Sequence, residues 1–329
     1  MKDLEKNLAI NDEDILQWCQ DPHRQRIGPE HCTTKLIKVD DRFVVKFGHV
    51  HPEEFTNQKE AYKLLDQRIV RIPRPYRFFT HDTKGYLLME YIDGEERATI
   101  ENEADIRSIS KVLEYLSTFQ GTRPGPIAGG ASRGLIWSEY EDMTFRDLDH
   151  LEMYLNSRLV RCLDTFDLQE TQLVLCHLDI APRNILWPQD GPLCVLDWAS
   201  AGWYPRFFEY CALDLNSGER GKDIRFTQRL MEAMSPLTDA EKHQVSLLET
   251  FQYNNIRYCF TSEPTPGCGD YVLDYGSAQK TKRSIASQIS KIKKLLKPPR
   301  RKRRRSPHGT VVRNTESKVD FVKDMSSSS

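Results

Sequence analysis

Two hydrophobic periods divide this chain. Up to about residue 94 the apolar residues gather in short runs of β type. Lys35-Leu36-Ile37-Lys38-Val39 and Arg42-Phe43-Val44-Val45-Lys46-Phe47 flank Asp40-Asp41 and read as a hairpin. Glu53–Asp66 reads as a helix with Ala61, Leu64 and Leu65 on its apolar side, and Pro52 suits its first turn. Ile72-Pro73-Arg74-Pro75 must be extended or turning, because proline keeps its predecessor out of the helical region. Tyr76–Phe79 and Tyr86–Ile92 are two more strands, around His81–Gly85. A short helix at Asn11–Cys19, capped by Asn11 with Glu13 and Asp14 in its first turn, precedes them.

Beyond Asp93-Gly94 the period becomes helical. Glu103–Phe119 carries Ile106, Ile109, Val112, Leu113 and Leu116 on one face, and Phe145–Cys162 carries Leu148, Leu151, Leu155 and Leu159. Asp223–Met234 and Thr238–Phe260 are further helices, and the glycine-rich stretch Gly121–Gly134 is a long loop. Two short apolar strands, Leu173–Cys176 and Leu193–Leu196, bracket a polar loop. The pattern predicts an α+β fold of two lobes: an N-terminal helical extension over 1–27, a small β-rich lobe over 28–94 and a larger helical lobe over 95–296. Lys280–Leu296 reads as a basic helix with Ile285, Ile289, Ile292 and Leu296 on one side, ended by Pro298-Pro299. The tail over 297–329 lacks the apolar content for a core and is expected to be disordered.

Composition narrows the class. Hydrophobic residues are 39% and charged residues 29% of the 329, and no uninterrupted apolar run reaches the roughly 18–20 residues of a membrane span. The opening Met1–Lys6 mixes acid and base with no apolar run, which reads as neither a secretory signal nor a transit peptide. The eight cysteines show no CxxC spacing, so buried free thiols in a reducing, cytoplasmic setting are expected. The net charge of −1 hides an asymmetry. Lys297–Ser329 holds ten Lys/Arg against three Asp/Glu, which leaves the rest acidic by eight charges.

The chemistry concentrates at His177-Leu178-Asp179-Ile180-Ala181-Pro182-Arg183-Asn184, followed by Leu196-Asp197-Trp198. The spacing H-x-D-x4-N, with an Asp thirteen residues later at the end of an apolar strand, is that of a kinase catalytic loop. Phosphoryl transfer needs one carboxylate to accept the proton of the attacking hydroxyl. It also needs an amide oxygen and a second carboxylate to hold magnesium on the phosphates. Asp179 suits the first role, Asn184 and Asp197 the second. Lys46, in a strand upstream, matches the lysine that reaches the α- and β-phosphates. Glu60 on the next helix is its expected partner, with Glu53 and Glu54 as weaker candidates near the helix start. Met89-Glu90-Tyr91-Ile92, a strand running into a turn between the two halves, is the expected hinge for adenine.

Leu175–Leu186, together with Val195-Leu196-Asp197-Trp198-Ala199-Ser200-Ala201-Gly202-Trp203-Tyr204-Pro205, resembles the aminoglycoside phosphotransferase (APH) family, and in particular its uncharacterised fungal members. The likeness extends from about Gly28 to about Phe260. It implies a protein-kinase-like fold, ATP and Mg2+ between the lobes, and transfer of the γ-phosphate to a hydroxyl of a small molecule. By the same resemblance Asp179 is the base, Asn184 and Asp197 the metal ligands, Lys46 the phosphate lysine, Met89–Ile92 the hinge, and His177 a buried brace. The chain departs from the pattern in three places. It has no G-x-G-x-x-G loop, it carries Leu178 where Gly is common, and it carries Ala199 where many relatives have an acid.

The acceptor is a small hydroxylated molecule that the residues do not name. Glu209, Asp214 and Glu219 could receive a cationic one, although acids at this density are mostly surface. Trp198, Trp203, Tyr204, Phe207, Phe208 and Tyr210 read as packing beneath the catalytic loop in preference to a cation cage. The cluster Arg300–Arg305 suits nuclear import, nucleic acid or anionic lipid. The rival reading is a kinase-like binding or scaffold protein with weak or lost catalysis. A monomer is expected in either case.

Overall fold

In the computed structural model the described residues are 10–28, 34–137, 141–160, 162–220 and 224–258, with the side chains of 218–220 excepted. The expected helix at Lys280–Leu296, the basic tail, the end of the Thr238–Phe260 helix, the Glu219 side chain and Cys32, Cys259 and Cys268 lie outside them.

Asn11 caps α1 (Asp12–Gln20) as its sequence predicts. Its side chain accepts from the Asp14 N–H at 2.8 Å, and the Asp14 carboxylate accepts from the Asn11 N–H at 3.0 Å. Ile15, fully buried, presses α1 onto Ile37, Phe43, Val45, Tyr86 and Leu88. These belong to an antiparallel sheet of β1 (Arg26–Ile27), β2 (Lys35–Lys38), β3 (Phe43–Gly48), β4 (Pro75–His81) and β5 (Lys84–Glu90), in the order β1-β2-β3-β5-β4. The β2–β3 turn closes because Asp40 Oδ1 accepts from the N–H groups of Arg42 and Phe43, at 2.8 and 2.9 Å. Asp82 and Thr83 turn β4 into β5 with φ of 47° and 63°, the pair of left-handed residues that a two-residue hairpin turn requires.

Between β3 and β4 lies α2 (Pro52–Leu64), with Pro52 in its first turn. The chain leaving α2 joins the lobes. Arg71 N–H donates to the Leu193 carbonyl at 2.9 Å, and Val195 N–H returns to the Arg71 carbonyl at 3.0 Å.

The helical lobe holds α3 (Glu103–Ser117), α4 (Leu148–Ser157), α5 (Phe207–Arg220), α6 (Ile224–Ala233) and α7 (Asp239–Arg257). Two corrections apply. Helix α4 is shorter than Phe145–Cys162, because Asp147 caps its start and Arg158 closes its end. Phe145 is nonetheless in the core, reached from an irregular segment. The Gly121–Gly134 stretch contributes the two-residue strands β7 (Gln120–Gly121) and β8 (Gly125–Pro126). They pair with β9 (Leu173–Cys176) and β12 (Gly202–Pro205), partners about 50 to 80 residues away that no local period could reveal. A second small sheet joins β6 (Glu95–Glu96), β10 (Ile185–Trp187) and β11 (Cys194–Val195). Gly94 lies so close to β10 that a Cβ there would stand 3.2–3.3 Å from Leu186, Trp187 and Pro188 atoms, so a larger residue would need this strand to shift by a few tenths of an ångström. No helix of the described residues is long and apolar enough to cross a membrane. Cys176, Cys194 and Cys211 are buried free thiols.

Candidate active site

The β9–β12 and β10–β11 pairings set the site. The catalytic loop leaves β9 at Cys176, passes through a 3₁₀ turn at Pro182–Asn184 and enters β10, whose partner β11 delivers Asp197. Leu196 N–H donates to the Asn184 carbonyl at 2.9 Å, so the two metal-type side chains start from backbones tied to each other. Asp197 has φ 61° and ψ 70°, left-handed for a residue with a Cβ.

Lys46 reaches the site from the central strand β3. Its Nζ lies 2.6 Å from Glu54 Oε1 and 3.1 Å from Asp197 Oδ2. Glu60 is not its partner. It lies 2.6 Å from Lys63 on the outer face of α2, half exposed. The register of α2 explains the correction: Glu54, Asn57, Gln58 and Ala61 make its buried face, and position 60 falls on the opposite side. This inward face is polar, so a search for an apolar stripe misplaces the helix.

The rest of that face grips the cleft. Asn57 Nδ2 donates to the carbonyls of Trp198 and Ala201, at 3.2 and 2.9 Å, and so holds the turn after Asp197. Gln58 Nε2 donates to the Pro73 carbonyl at 2.7 Å and contacts Met89 Sδ at 3.4 Å. The sequence alone points to neither residue. Glu54→Gln is therefore expected to lower kcat/KM for ATP by about 10–100-fold, the effect of weakening a charged buried hydrogen bond. Glu60→Gln is expected to leave turnover unchanged and stability within about 0.5 kcal/mol. Steady-state kinetics of the two variants check this, and the reverse ranking would restore Glu60.

Burial pushes Lys46 down, but Glu54 and Asp197 together outweigh it and hold the ammonium above its ordinary range. Burial likewise raises Glu54 to about 7, against the pull of Lys46. For Asp197 the order reverses: burial raises it, and Lys46 more than compensates, so it lies below the usual carboxylate range. Asp179 is raised by burial, with Arg183 opposing.

Asp179 Oδ2 accepts from Asn184 Nδ2 at 2.8 Å, and the same amide donates to the Asp179 carbonyl at 2.8 Å. Its Oδ1 faces Arg183 Nη2 at 2.5 Å and Asn216 Nδ2 at 3.0 Å. His177 is fully buried, and burial lowers it to about 4, so the neutral ring braces the loop. Its Nδ1 accepts from the Asp179 N–H at 3.3 Å and its Nε2 faces the Leu196 carbonyl at 3.1 Å.

Leu178 has φ 62°, which explains why glycine suits this position. A buried carboxylate holds it there. Glu209 Oε2 accepts from the N–H groups of His177 and Leu178, at 2.6 and 3.1 Å. Glu209 is thus a clamp beneath the loop and is not free to meet an acceptor; Asp214 is exposed. Trp198, Tyr204, Phe207, Phe208 and Tyr210 are buried, as packing predicts.

Met89, Glu90, Tyr91 and Ile92 lie where β5 leaves the sheet. Glu90 N–H donates to the Arg74 carbonyl and Tyr91 N–H to the Arg42 carbonyl, both at 2.8 Å. The Glu90 carboxylate holds Arg71 and the Arg74 N–H. Ile92 N–H makes no backbone hydrogen bond among the described residues.

A small antiparallel sheet with one inserted helix, joined by a hinge to a helical lobe that carries an H-x-D-x4-N loop, is the architecture of the protein-kinase-like phosphotransferases. The model of the phosphotransferase enzyme family, APH, matches residues 31–243, and the chain belongs to that family. Similar solved structures include a putative fructosamine-3-kinase from Haemophilus somnus 129PT, 14% identical, covering 84% of this chain and 91% of that one, with a TM-score of 0.46. Spectinomycin phosphotransferase APH(9)-Ia, in complex with ADP and spectinomycin, is 12% identical, covers 83% and 89%, and has a TM-score of 0.45. Choline kinase LicA from Streptococcus pneumoniae is 16% identical, covers 80% and 93%, and has a TM-score of 0.41. A comparison with curated proteins finds no match.

Proposed function

We propose that this chain is an ATP-dependent phosphotransferase that moves the γ-phosphate to a hydroxyl of a small molecule. The observation that carries the reading is Lys46, bound to Glu54 and Asp197 from two lobes at once. That arrangement presents an ammonium to the phosphates and brings the metal-type carboxylate beside it.

The residues fit magnesium by their donors. Asn184 commits its NH2 to Asp179 and offers its carbonyl oxygen; Asp197 commits Oδ2 to Lys46 and offers Oδ1. Both are hard oxygen ligands. Magnesium there would neutralise charge on the β- and γ-phosphates. Asp179 accepts the proton of the acceptor hydroxyl as its oxygen bonds to the γ-phosphorus, and ADP departs with the electrons of the broken P–O bond. Lys46 binds the α- and β-phosphates, and Met89–Ile92 holds adenine, with the Ile92 N–H as donor.

Calorimetry with ATP and magnesium tests this. Wild type is expected to bind with a Kd of about 1 μM to 1 mM, and Asp197→Ala to weaken binding at least about tenfold. Absence of binding in wild type, or binding indifferent to Asp197 and to magnesium, would favour a scaffold.

A further inference from the structure

We propose that Asn216, on α5, is a positioning residue that holds the base and its arginine as one hydrogen-bonded unit. The proposal rests on the reading of Asp179 as the base. Asn216 is only 6% exposed, and both ends of its amide face the catalytic loop. Its Nδ2 donates to Asp179 Oδ1 at 3.0 Å, and its Oδ1 accepts from Arg183 Nη2 at 3.2 Å. Arg183 Nη2 also lies 2.5 Å from Asp179 Oδ1, so the three side chains close a triangle.

The triangle addresses a positional problem. The Arg183 side chain is one-third exposed, and a long exposed arginine has many rotamers of similar energy. Paired with Asp179 alone it could draw the carboxylate out of line with the acceptor. Asn216 removes that freedom because it sits on a packed helix. It lies seven residues after Glu209, two helical turns along the same face. Glu209 fixes the backbone of His177 and Leu178; Asn216 fixes the side chains of Asp179 and Arg183. Phe208, Cys211 and Ala212 anchor the same helix in the core with Leu247, Leu248 and Phe251 of α7. One helix therefore sets both the path of the loop and the direction of its base. A displacement of about 1 Å at a reacting group can cost about 100-fold in rate, which gives such a residue its leverage.

The test follows ADP formation from magnesium-ATP, with water as the acceptor, in the full-length protein. Asn216→Ala is expected to keep the Kd for magnesium-ATP within about twofold and to lower kcat about 10–30-fold. Asn216→Asp, though closer in shape, is expected to be slower than Asn216→Ala, because a second carboxylate would face Asp179 and compete for Arg183. A residue that only filled space would give the opposite order. In an Asp179→Asn background, Asn216→Ala is expected to add less than about twofold, since it acts through Asp179. Near wild-type kcat in Asn216→Ala, a milder Asn216→Asp, or effects that multiply in the double variant would each overturn the proposal. If Asp179→Asn itself leaves turnover unchanged, the assignment of the base fails, and the positioning role falls with it.

Discussion

Asp179→Asn is expected to lower phosphoryl transfer by about 10²–10⁴-fold, the contribution of a positioned general base. The amide cannot take the proton of the attacking hydroxyl. Affinity for magnesium-ATP should stay within about threefold, because Lys46 and Asp197 are untouched and Asn184 keeps its bond to the carbonyl of residue 179. The structural cost should be small. An asparagine oxygen can still accept from Arg183 and Asn216, and although its NH2 then loses the bond that Oδ2 accepted from Asn184, the backbone carbonyl of residue 179 keeps its own 2.8 Å bond from that amide. Steady-state ADP release and calorimetry on the same preparation separate the two quantities. Turnover within threefold of wild type would show that Asp179 is not the base.

Glu209→Ala is expected to destabilise the fold by about 3–5 kcal/mol. It removes the acceptor of two buried N–H groups, those of His177 and Leu178, each worth about 1–3 kcal/mol when left unpaired. Leu178 is held in a left-handed conformation that itself costs about 1–2 kcal/mol, and without the clamp the two bonds that offset this cost are gone. Glu209→Gln, which keeps one acceptor oxygen, should cost less.

Proton linkage gives a second reading of the same residue. Burial raises Glu209 to about 7 from an ordinary 4.5, against the pull of the two N–H groups. Between those values the folded state binds more protons than the unfolded chain. The contribution of Glu209 to stability is therefore greatest below about pH 4.5 and falls by about 3 kcal/mol as pH rises through 7. His177 acts oppositely, since burial lowers it from 6.5 to about 4 and stability rises with pH across that window. The total slope is therefore a mixture, and the difference between wild type and Glu209→Gln isolates the glutamate. Urea denaturation at pH 5 and pH 7.5 should show Glu209→Gln gaining on wild type at the higher pH. A gap independent of pH would refute the linkage.

The site was legible where its residues share a short stretch of chain. The catalytic motif spans eight residues, and the chemistry restricts each position, so Asp179, Asn184 and Asp197 stand out by spacing alone. Lys46 was legible because a strand fixes which side chains share a face. Its partner was not. Position 60 sits where an apolar stripe through Ala61, Leu64 and Leu65 would place it, but the inward face of α2 is built from Glu54, Asn57 and Gln58, and a polar face carries no hydrophobic signal to set its rotation. Glu209 was legible as an acid but not as a clamp. Its role depends on α5 passing beneath a loop some thirty residues earlier. Asn216 had no signal at all.

By itself the sequence determined the two-lobed order of elements, the capped α1 and the H-x-D-x4-N spacing, because hydrophobic period, caps and short spacings are local properties of the chain. Only the tertiary structure decided which glutamate meets Lys46, which carboxylate supports Leu178 and which helix bonds the Asp179 carboxylate. Those choices rest on contacts between segments far apart in sequence, formed where burial makes an unpaired charge or N–H too costly to leave without a partner.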